Sequence, residues 1–223
     1  MLHACLAPPV LENQGLMIER LAAKCIVPVV VLEDAESAAP LAEALLAGGL
    51  DVMEITFRTA AAEEAIRRVA ASFPEMVLGA GTLLDEEQVK RAKDAGATFG
   101  LAPGLNPKVV ETAQKVGLFF SPGVMTPGEV EAALAHGCLL QKFFPAQAAG
   151  GASMLKALAG PYAHTGVRFI PTGGIDPANM KEYLKLDVVA AVGGSWMVKQ
   201  NLIAEKNWAE ITKLTREALS PSL

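Results

Sequence analysis

The run LLQKFFPAQAAGG begins at Leu139 and carries a lysine, Lys142, in its middle. It has the texture of a strand: apolar and aromatic residues closed by a proline, then small residues and glycines that open a helix. Lysine is almost never fully buried without a partner. Lys142 therefore either keeps its amine in water at an edge or supplies an amine to the interior. An amine in an apolar pocket loses its charge more easily, because burial disfavours the charged form; a nearby cation pushes the same way and an ionised carboxylate opposes it. A neutral amine attacks a ketone or aldehyde and forms an imine. Once protonated, the imine withdraws electrons, and a carbon–carbon bond one position away can break. A base must then move protons through the carbinolamine and to or from a hydroxyl. The run DVMEITFRT offers Glu54 as that base and Arg58 as a two-pronged clamp for a carboxylate. Thr82, at the end of MVLGAGT, adds a hydroxyl.

A different chemistry is written further along. PTGGIDPAN holds Thr172, Gly173 and Gly174, and VGGS holds Gly193, Gly194 and Ser195. Glycine-rich turns that enter helices expose backbone N–H groups and hold phosphate well. Each glycine pair alone is also an ordinary tight turn. Taken together with the lysine, they point to a phosphorylated keto acid split or joined through an imine.

The elements that must position these residues follow a rhythm. Eight strand candidates are CIVPVVVL, DVMEITF, MVLGAG, TFGLAPG, LFFSPGV, LLQKFFP, RFIPTGG and VVAAVGGS. Alanine- and charge-rich helical runs lie between them, with Asp85 and Asn106 as N-caps and Gly49, Gly96, Gly117 and Gly137 as C-cap glycines. Strand–helix repeated eight times implies parallel strands with crossover helices. The expected fold is α/β, a single (β/α)8 TIM barrel over residues 1–223, with an extra helix in about residues 1–24 capping one mouth. An open doubly wound sheet is the alternative, disfavoured by the count of eight and by the lack of a G-x-G-x-x-G turn after the first strand. In such a barrel the strand C-termini gather at one mouth: Glu54 and Arg58, Thr82, Pro103, Ser121 and Pro122, Lys142, then the two glycine turns. Glu54 shares strand parity with Val52 and Thr56, and Lys142 with Leu140 and Phe144, so the two can meet if both sets face the interior. A buried Lys–Glu ion pair of purely structural role stands as the alternative.

Bulk properties exclude several classes. The chain has 223 residues, 52% hydrophobic and 19% charged, so a large core is expected rather than disorder. The net charge of −5, without a basic run, argues against nucleic acid or an anionic membrane as partner. No apolar stretch has the length of a membrane span, and the start of the chain lacks the pattern of a secretory signal. The three cysteines, Cys5, Cys25 and Cys138, show no metal spacing and are each expected as small buried hydrophobes in a reduced cytoplasm. His3, His136 and His164 form no ligand pattern. Trp196, Phe143 and GVMTPGEV are expected to pack around the fold, and AAEEAIRRVA is read as a solvated helix face with Glu63–Arg67 and Glu64–Arg68 pairs.

EITFRT, GAGTLL, APGLNP, SPGVMTP, KFFPA, PTGGI and GGSW together resemble the 2-keto-3-deoxy-6-phosphogluconate (KDPG) and 4-hydroxy-2-oxoglutarate (KHG) aldolases, from about Val27 to the last helix. The resemblance implies a class I aldolase, a lyase of the Entner–Doudoroff pathway. Such an enzyme releases pyruvate and glyceraldehyde 3-phosphate, needs no cofactor or metal and assembles as a homotrimer. Carried over by motif, Lys142 is the imine lysine and Glu54 the proton shuttle. Arg58 and Thr82 hold the pyruvate carboxylate, and Pro103 and Phe144 line the pyruvyl pocket. Thr172, Gly173, Gly174, Gly194 and Ser195 serve the phosphate. Many relatives also release glyoxylate from 4-hydroxy-2-oxoglutarate. The chain departs from the family pattern at Gln147, where many relatives have glutamate, and at Ala102. Two rival functions are another phosphate-binding barrel enzyme, an isomerase or transferase, and a non-catalytic sugar-phosphate binding protein. A metal-dependent aldolase would need a His/carboxylate cluster, which the sequence does not suggest.

Overall fold

A computed structural model describes residues 8–220, with side chains from residue 14 onward. Helix α1 (Pro8–Lys24) comes first. Then follow β1 (Ile26–Val30), α2 (Ala38–Ala47), β2 (Val52–Thr56), α3 (Ala62–Ser72), β3 (Val77–Gly81), α4 (Glu86–Asp94), β4 (Phe99–Leu101) and α5 (Pro107–Lys115). The second half holds β5 (Phe119–Ser121), β6 (Gly123–Val124), α6 (Pro127–Ala135), β7 (Leu140–Phe143), α7 (Gly151–Ala159), β8 (Arg168–Phe169), α8 (Met180–Leu184), β9 (Val192–Gly194), α9 (Gln200–Ala204) and α10 (Trp208–Ala218).

Every strand pairing is parallel, and the result is a curled α/β sheet. One sheet runs β5-β4-β3-β2-β1-β9 and a second runs β6-β7-β8. The two share one chain segment, because β5 and β6 are separated only by Pro122, which has no N–H for the ladder. The single fifth strand expected from LFFSPGV is therefore two. On the other side, isolated parallel bridges join Phe169 to Val189 and Thr172 to Gly193. The strands expected over RFIPTGG and VVAAVGGS are shorter than the runs suggested, because Pro171 removes a donor and the following glycine pair turns the chain.

Why these segments fold this way is visible locally. Strands β2 and β3 are buried at every residue, as a parallel sheet covered on both faces requires. Helix α3 buries Ala62, Ala65, Ile66 and Val69 and turns its charges outward, where Arg67 pairs with Glu63 and Arg68 with Glu64. Asp85 and Asn106 cap α4 and α5 as expected, accepting from the N–H groups of Gln88 and Lys108. The four expected C-cap glycines all have positive φ.

Helix α1 starts at Pro8; the first seven residues of the expected N-terminal helix, with His3 and Cys5, lie outside the described residues. Its Leu21 is buried. Leu139 N–H donates to Gln14 Oε1 and Arg20 donates to Glu75 O, which sets α1 against the N-terminal ends of β7 and β3. One cysteine expectation fails. Cys138 is buried, but Cys25 is exposed at φ +61, where the chain turns from α1 into β1, and its Sγ donates to Ala22 O. No helix among the described residues is long and apolar enough to cross a membrane.

Candidate active site

Glu54 comes from the middle of β2 and Lys142 from β7, 88 residues later. Register decides what surrounds them. Val29 of β1 and Gly79 of β3 flank Glu54, and Gly123 of β6 flanks Lys142. Lys142 Nζ reaches Glu54 Oε1 at 3.1 Å. Both residues are buried, with 5% and 1% of their surface exposed. The sequence left a water-facing amine and an interior amine open, and the structure has the interior one, paired.

The space for that pair is made by missing side chains. A Cβ on Gly81 would collide with Glu54 Oε1 and lie close to its Cδ and Cγ. A Cβ on Gly123 would collide with the carbonyl of Pro103, so the loop after β4 closes directly over β6 beside Lys142. Lys142 Nζ also stands 5.9 Å from the centre of the Phe144 ring. That is within reach of a cation–π attraction when the amine is charged. The ring in turn packs against Gly173. Phe144 thus stands over the lysine, with Gly173 behind its ring, while Pro103 lies against Gly123, the ladder neighbour of Lys142.

Glu54 uses one oxygen. Its Oε2 is buried and has no hydrogen-bond partner among the described residues, and the same holds for Ser121 Oγ. Ser121 pairs with Leu101 across the β5–β4 ladder and stands two residues before Gly123. The sequence located it at a strand end without giving it a role; its complete burial is the signal that only the structure supplies.

Arg58 and Thr82 lie on neighbouring strand ends, where Phe57 N–H donates to Gly81 O at 2.8 Å. Arg58 is exposed and makes no hydrogen bond or ion pair among the described residues. Thr82 has φ +59, a left-handed conformation that costs a β-branched residue strain and that concentrates at functional sites. Among the described residues neither makes a hydrogen bond or ion pair with Lys142, and both are more exposed than the buried pair.

The glycine turns come together through the Thr172–Gly193 bridge. The carbonyls of Thr172, Gly173 and Gly174 all accept hydrogen bonds, from Ala146 N–H, Gln147 N–H and Asn179 Nδ2. With the carbonyls tied inward, the N–H groups of Gly173, Gly174 and Ser195 remain without acceptors among the described residues. Gly173 and Gly174 have φ +102 and +73, which only glycine adopts without strain. Such a nest of free N–H groups binds oxyanions. Gly194 packs under the Trp196 ring, and Thr172 Oγ1 donates to Ile170 O. Among the described residues no three His, Cys, Asp or Glu side chains gather as a metal site.

A family model described as KDPG and KHG aldolase matches residues 17–214. The 2-dehydro-3-deoxy-phosphogluconate aldolase of Haemophilus influenzae is 47% identical, over 91% of this chain and 95% of that protein. The KHG/KDPG aldolase of Escherichia coli K12 is 43% identical over 87% of this chain and 90% of its own. Among solved structures, a KDPG aldolase from Legionella pneumophila, with pyruvate captured as a covalent carbinolamine intermediate, superposes with a TM-score of 0.85 at 43% identity, covering 90% of this chain and 96% of that one. The chain belongs to the KDPG and KHG aldolase family.

Proposed function

We propose that this member of the KDPG and KHG aldolase family is a class I aldolase that cleaves 2-dehydro-3-deoxy-6-phosphogluconate to pyruvate and glyceraldehyde 3-phosphate. The observation that carries the reading is the buried Lys142 amine, 3.1 Å from the Glu54 carboxylate. The Lys142 nitrogen attacks the C2 carbonyl of the keto acid. Glu54 moves protons so that the carbinolamine loses water and becomes a protonated imine. Glu54 then takes the proton of the C4 hydroxyl. The C3–C4 bond breaks, its electron pair enters the iminium as an enamine, and the aldehyde leaves. Protonation of the enamine at C3 and hydrolysis of the imine release pyruvate and restore the amine.

The remaining residues take binding roles. Arg58 and Thr82 hold the carboxylate from the rim, and Pro103 and Phe144 enclose the pyruvyl group. The free N–H groups of Gly173, Gly174 and Ser195, with Thr172 and Gly194 shaping the turns, receive the phosphate. The name KHG/KDPG aldolase carried by the Escherichia coli relative supports a second, unphosphorylated substrate, 4-hydroxy-2-oxoglutarate. The shared Phe119–Val124 segment on one side and the two bridges on the other support a closed barrel of eight strands, with α1 across its N-terminal mouth. We read the chain as one domain, as cytoplasmic from its cysteine usage and, from the family resemblance, as a homotrimer.

The test is mass spectrometry after pyruvate and sodium borohydride, with peptide mapping. A reduced pyruvate adduct on Lys142 is expected, absent from Lys142→Ala. A folded protein that forms no adduct would overturn the reading. It would leave Lys142 and Glu54 as a structural ion pair beneath a phosphate-binding isomerase, transferase or binding protein.

A further inference from the structure

Between the imine lysine and the free N–H groups of the glycine turn lies a contact that neither set of roles uses. Gln147 follows Lys142 by one short turn, Phe144–Pro145–Ala146, and its N–H donates to Gly173 O at 3.0 Å. Its Cβ lies 2.7 Å from where a Cβ on Gly174 would stand, so the side chain is packed directly against the turn. The far end of that side chain is held: Tyr183, on α8, donates its hydroxyl to Gln147 Oε1 at 2.9 Å. Tyr183 is completely buried, and burial, with Glu182 adding to it, pushes its hydroxyl above the usual tyrosine range, so it remains a donor at working pH. Asn179, just before α8, ties Gly174 O from the other side at 2.9 Å. The turn is thus gripped between the chain leaving β7 and the start of α8.

We propose that the Gln147–Tyr183 hydrogen bond is a positioning device that fixes the Gly173–Gly174 turn relative to Lys142, and so selects keto acids whose phosphate lies at one set distance from the imine carbon. The inference rests on the assignment of the free N–H groups to phosphate. Gln147 and Tyr183 need not touch substrate; they act through the glycine turn. Cutting the pin leaves the backbone anchors from Ala146 and Gln147 in place, so the turn persists but its N–H groups are less narrowly aimed. The loss falls on substrates that use the phosphate. An unphosphorylated substrate, anchored by its carboxylates and the imine, does not sense it.

The experiment compares Tyr183→Phe, Gln147→Ala and Gln147→Glu with the parent on phosphorylated 2-keto-3-deoxygluconate and on 4-hydroxy-2-oxoglutarate. Glycerol 3-phosphate binding is measured by calorimetry alongside. Removing the hydrogen bond with Tyr183→Phe or Gln147→Ala is expected to raise KM for the phosphorylated substrate, and to weaken glycerol 3-phosphate, by about three- to tenfold, with kcat little changed. Values for 4-hydroxy-2-oxoglutarate stay at the parent's. Gln147→Glu keeps an acceptor for Tyr183 and is expected to stay near the parent on both substrates. The inference is overturned if Tyr183→Phe leaves both KM and glycerol 3-phosphate binding unchanged, or if it depresses the two substrates equally, which marks a merely structural contact. A parent that binds glycerol 3-phosphate but forms no imine defeats the aldolase reading alone, and the calorimetric comparison still decides the pin.

Discussion

Glu54 has one oxygen on Lys142 and one buried oxygen without a partner among the described residues, and its role and its position each carry a prediction. Glu54→Gln keeps the shape and removes the base, so kcat is expected to fall by about 10²- to 10⁴-fold with pyruvate still able to reach the lysine. Steady-state kinetics beside borohydride trapping separate the loss of proton transfer from the loss of imine formation. Gly81→Ala changes no functional group, yet its Cβ would enter the space of the Glu54 carboxylate. A kcat reduction of at least about tenfold is expected, since displacement of a catalytic group by roughly an ångström has large effects. Parent-like activity in Gly81→Ala would show that Glu54 does not work from its observed position. The pair also has a stability signature. Glu54→Leu alone leaves Lys142 buried without its counter-charge and should cost about 3–5 kcal/mol, whereas Glu54→Leu with Lys142→Met should recover most of that. Urea unfolding of the three proteins checks it, and a double variant no better than the single one refutes it.

At the scale of elements, periodicity and punctuation carried most of the information. Helices capped by Asp85 and Asn106 lie where the sequence reading set them, because a cap is a local contact between residues two or three apart. Strand ends were less legible. Where β5 stops and β6 starts depends on which neighbour each pairs with, and that is a property of the assembled sheet rather than of LFFSPGV. The meeting of Lys142 and Glu54 in the interior was legible from residue type and parity, since a charged residue inside an apolar strand is costly enough to need a reason. Gly81, Ser121 and Tyr183 were not. A glycine that makes room, a hydroxyl that is orphaned and a tyrosine that grips a turn are defined only by what comes near them from distant strands and helices. Cys25 misled because the single residue between α1 and β1 has its exposure set by how the two elements meet.

Helix α6 offers the clearest element-level prediction. Its capping box joins Thr126 and Glu129, whose Oε2 accepts from the N–H groups of Met125 and Thr126 and from the Thr126 hydroxyl. Burial alone would raise the Glu129 carboxyl, but these three donors together hold it below its ordinary value. A depressed folded-state value gives stability that is present above the unfolded carboxylate range and is lost as pH falls through the folded value. Glu129→Gln keeps the acceptor but not the charge. It should cost up to about 1 kcal/mol at neutral pH and nothing once acid has protonated the parent's carboxyl. Denaturation midpoints of parent and variant should therefore converge on acidification; parallel curves would contradict the assignment.

The whole molecule has two unlike ends. The strand C-termini bear the polar site, while at the other end a cavity of about 550 Å³ opens between α1, α5 and the starts of β4, β5 and β7. Cys138 lies in its wall, and burial pushes the thiol up to about 12. At pH 8 almost none of it is the nucleophilic thiolate, whereas Cys25 is open to solvent. In a Cys5→Ser protein, iodoacetamide should modify Cys25 in the folded state and Cys138 only when the fold opens. If the molecule unfolds as one cooperative unit, a ligand at the far end must protect Cys138 without touching it. Binding that favours the folded state slows opening-limited chemistry by the factor 1 + [L]/Kd. Glycerol 3-phosphate should therefore slow Cys138 alkylation in moderate urea, by about tenfold at ten times its Kd, and leave Cys25 unaffected. Cys138 alkylation that ignores the ligand, or that matches Cys25 in native buffer, would mean that α1 and α5 part locally while the site end stays folded.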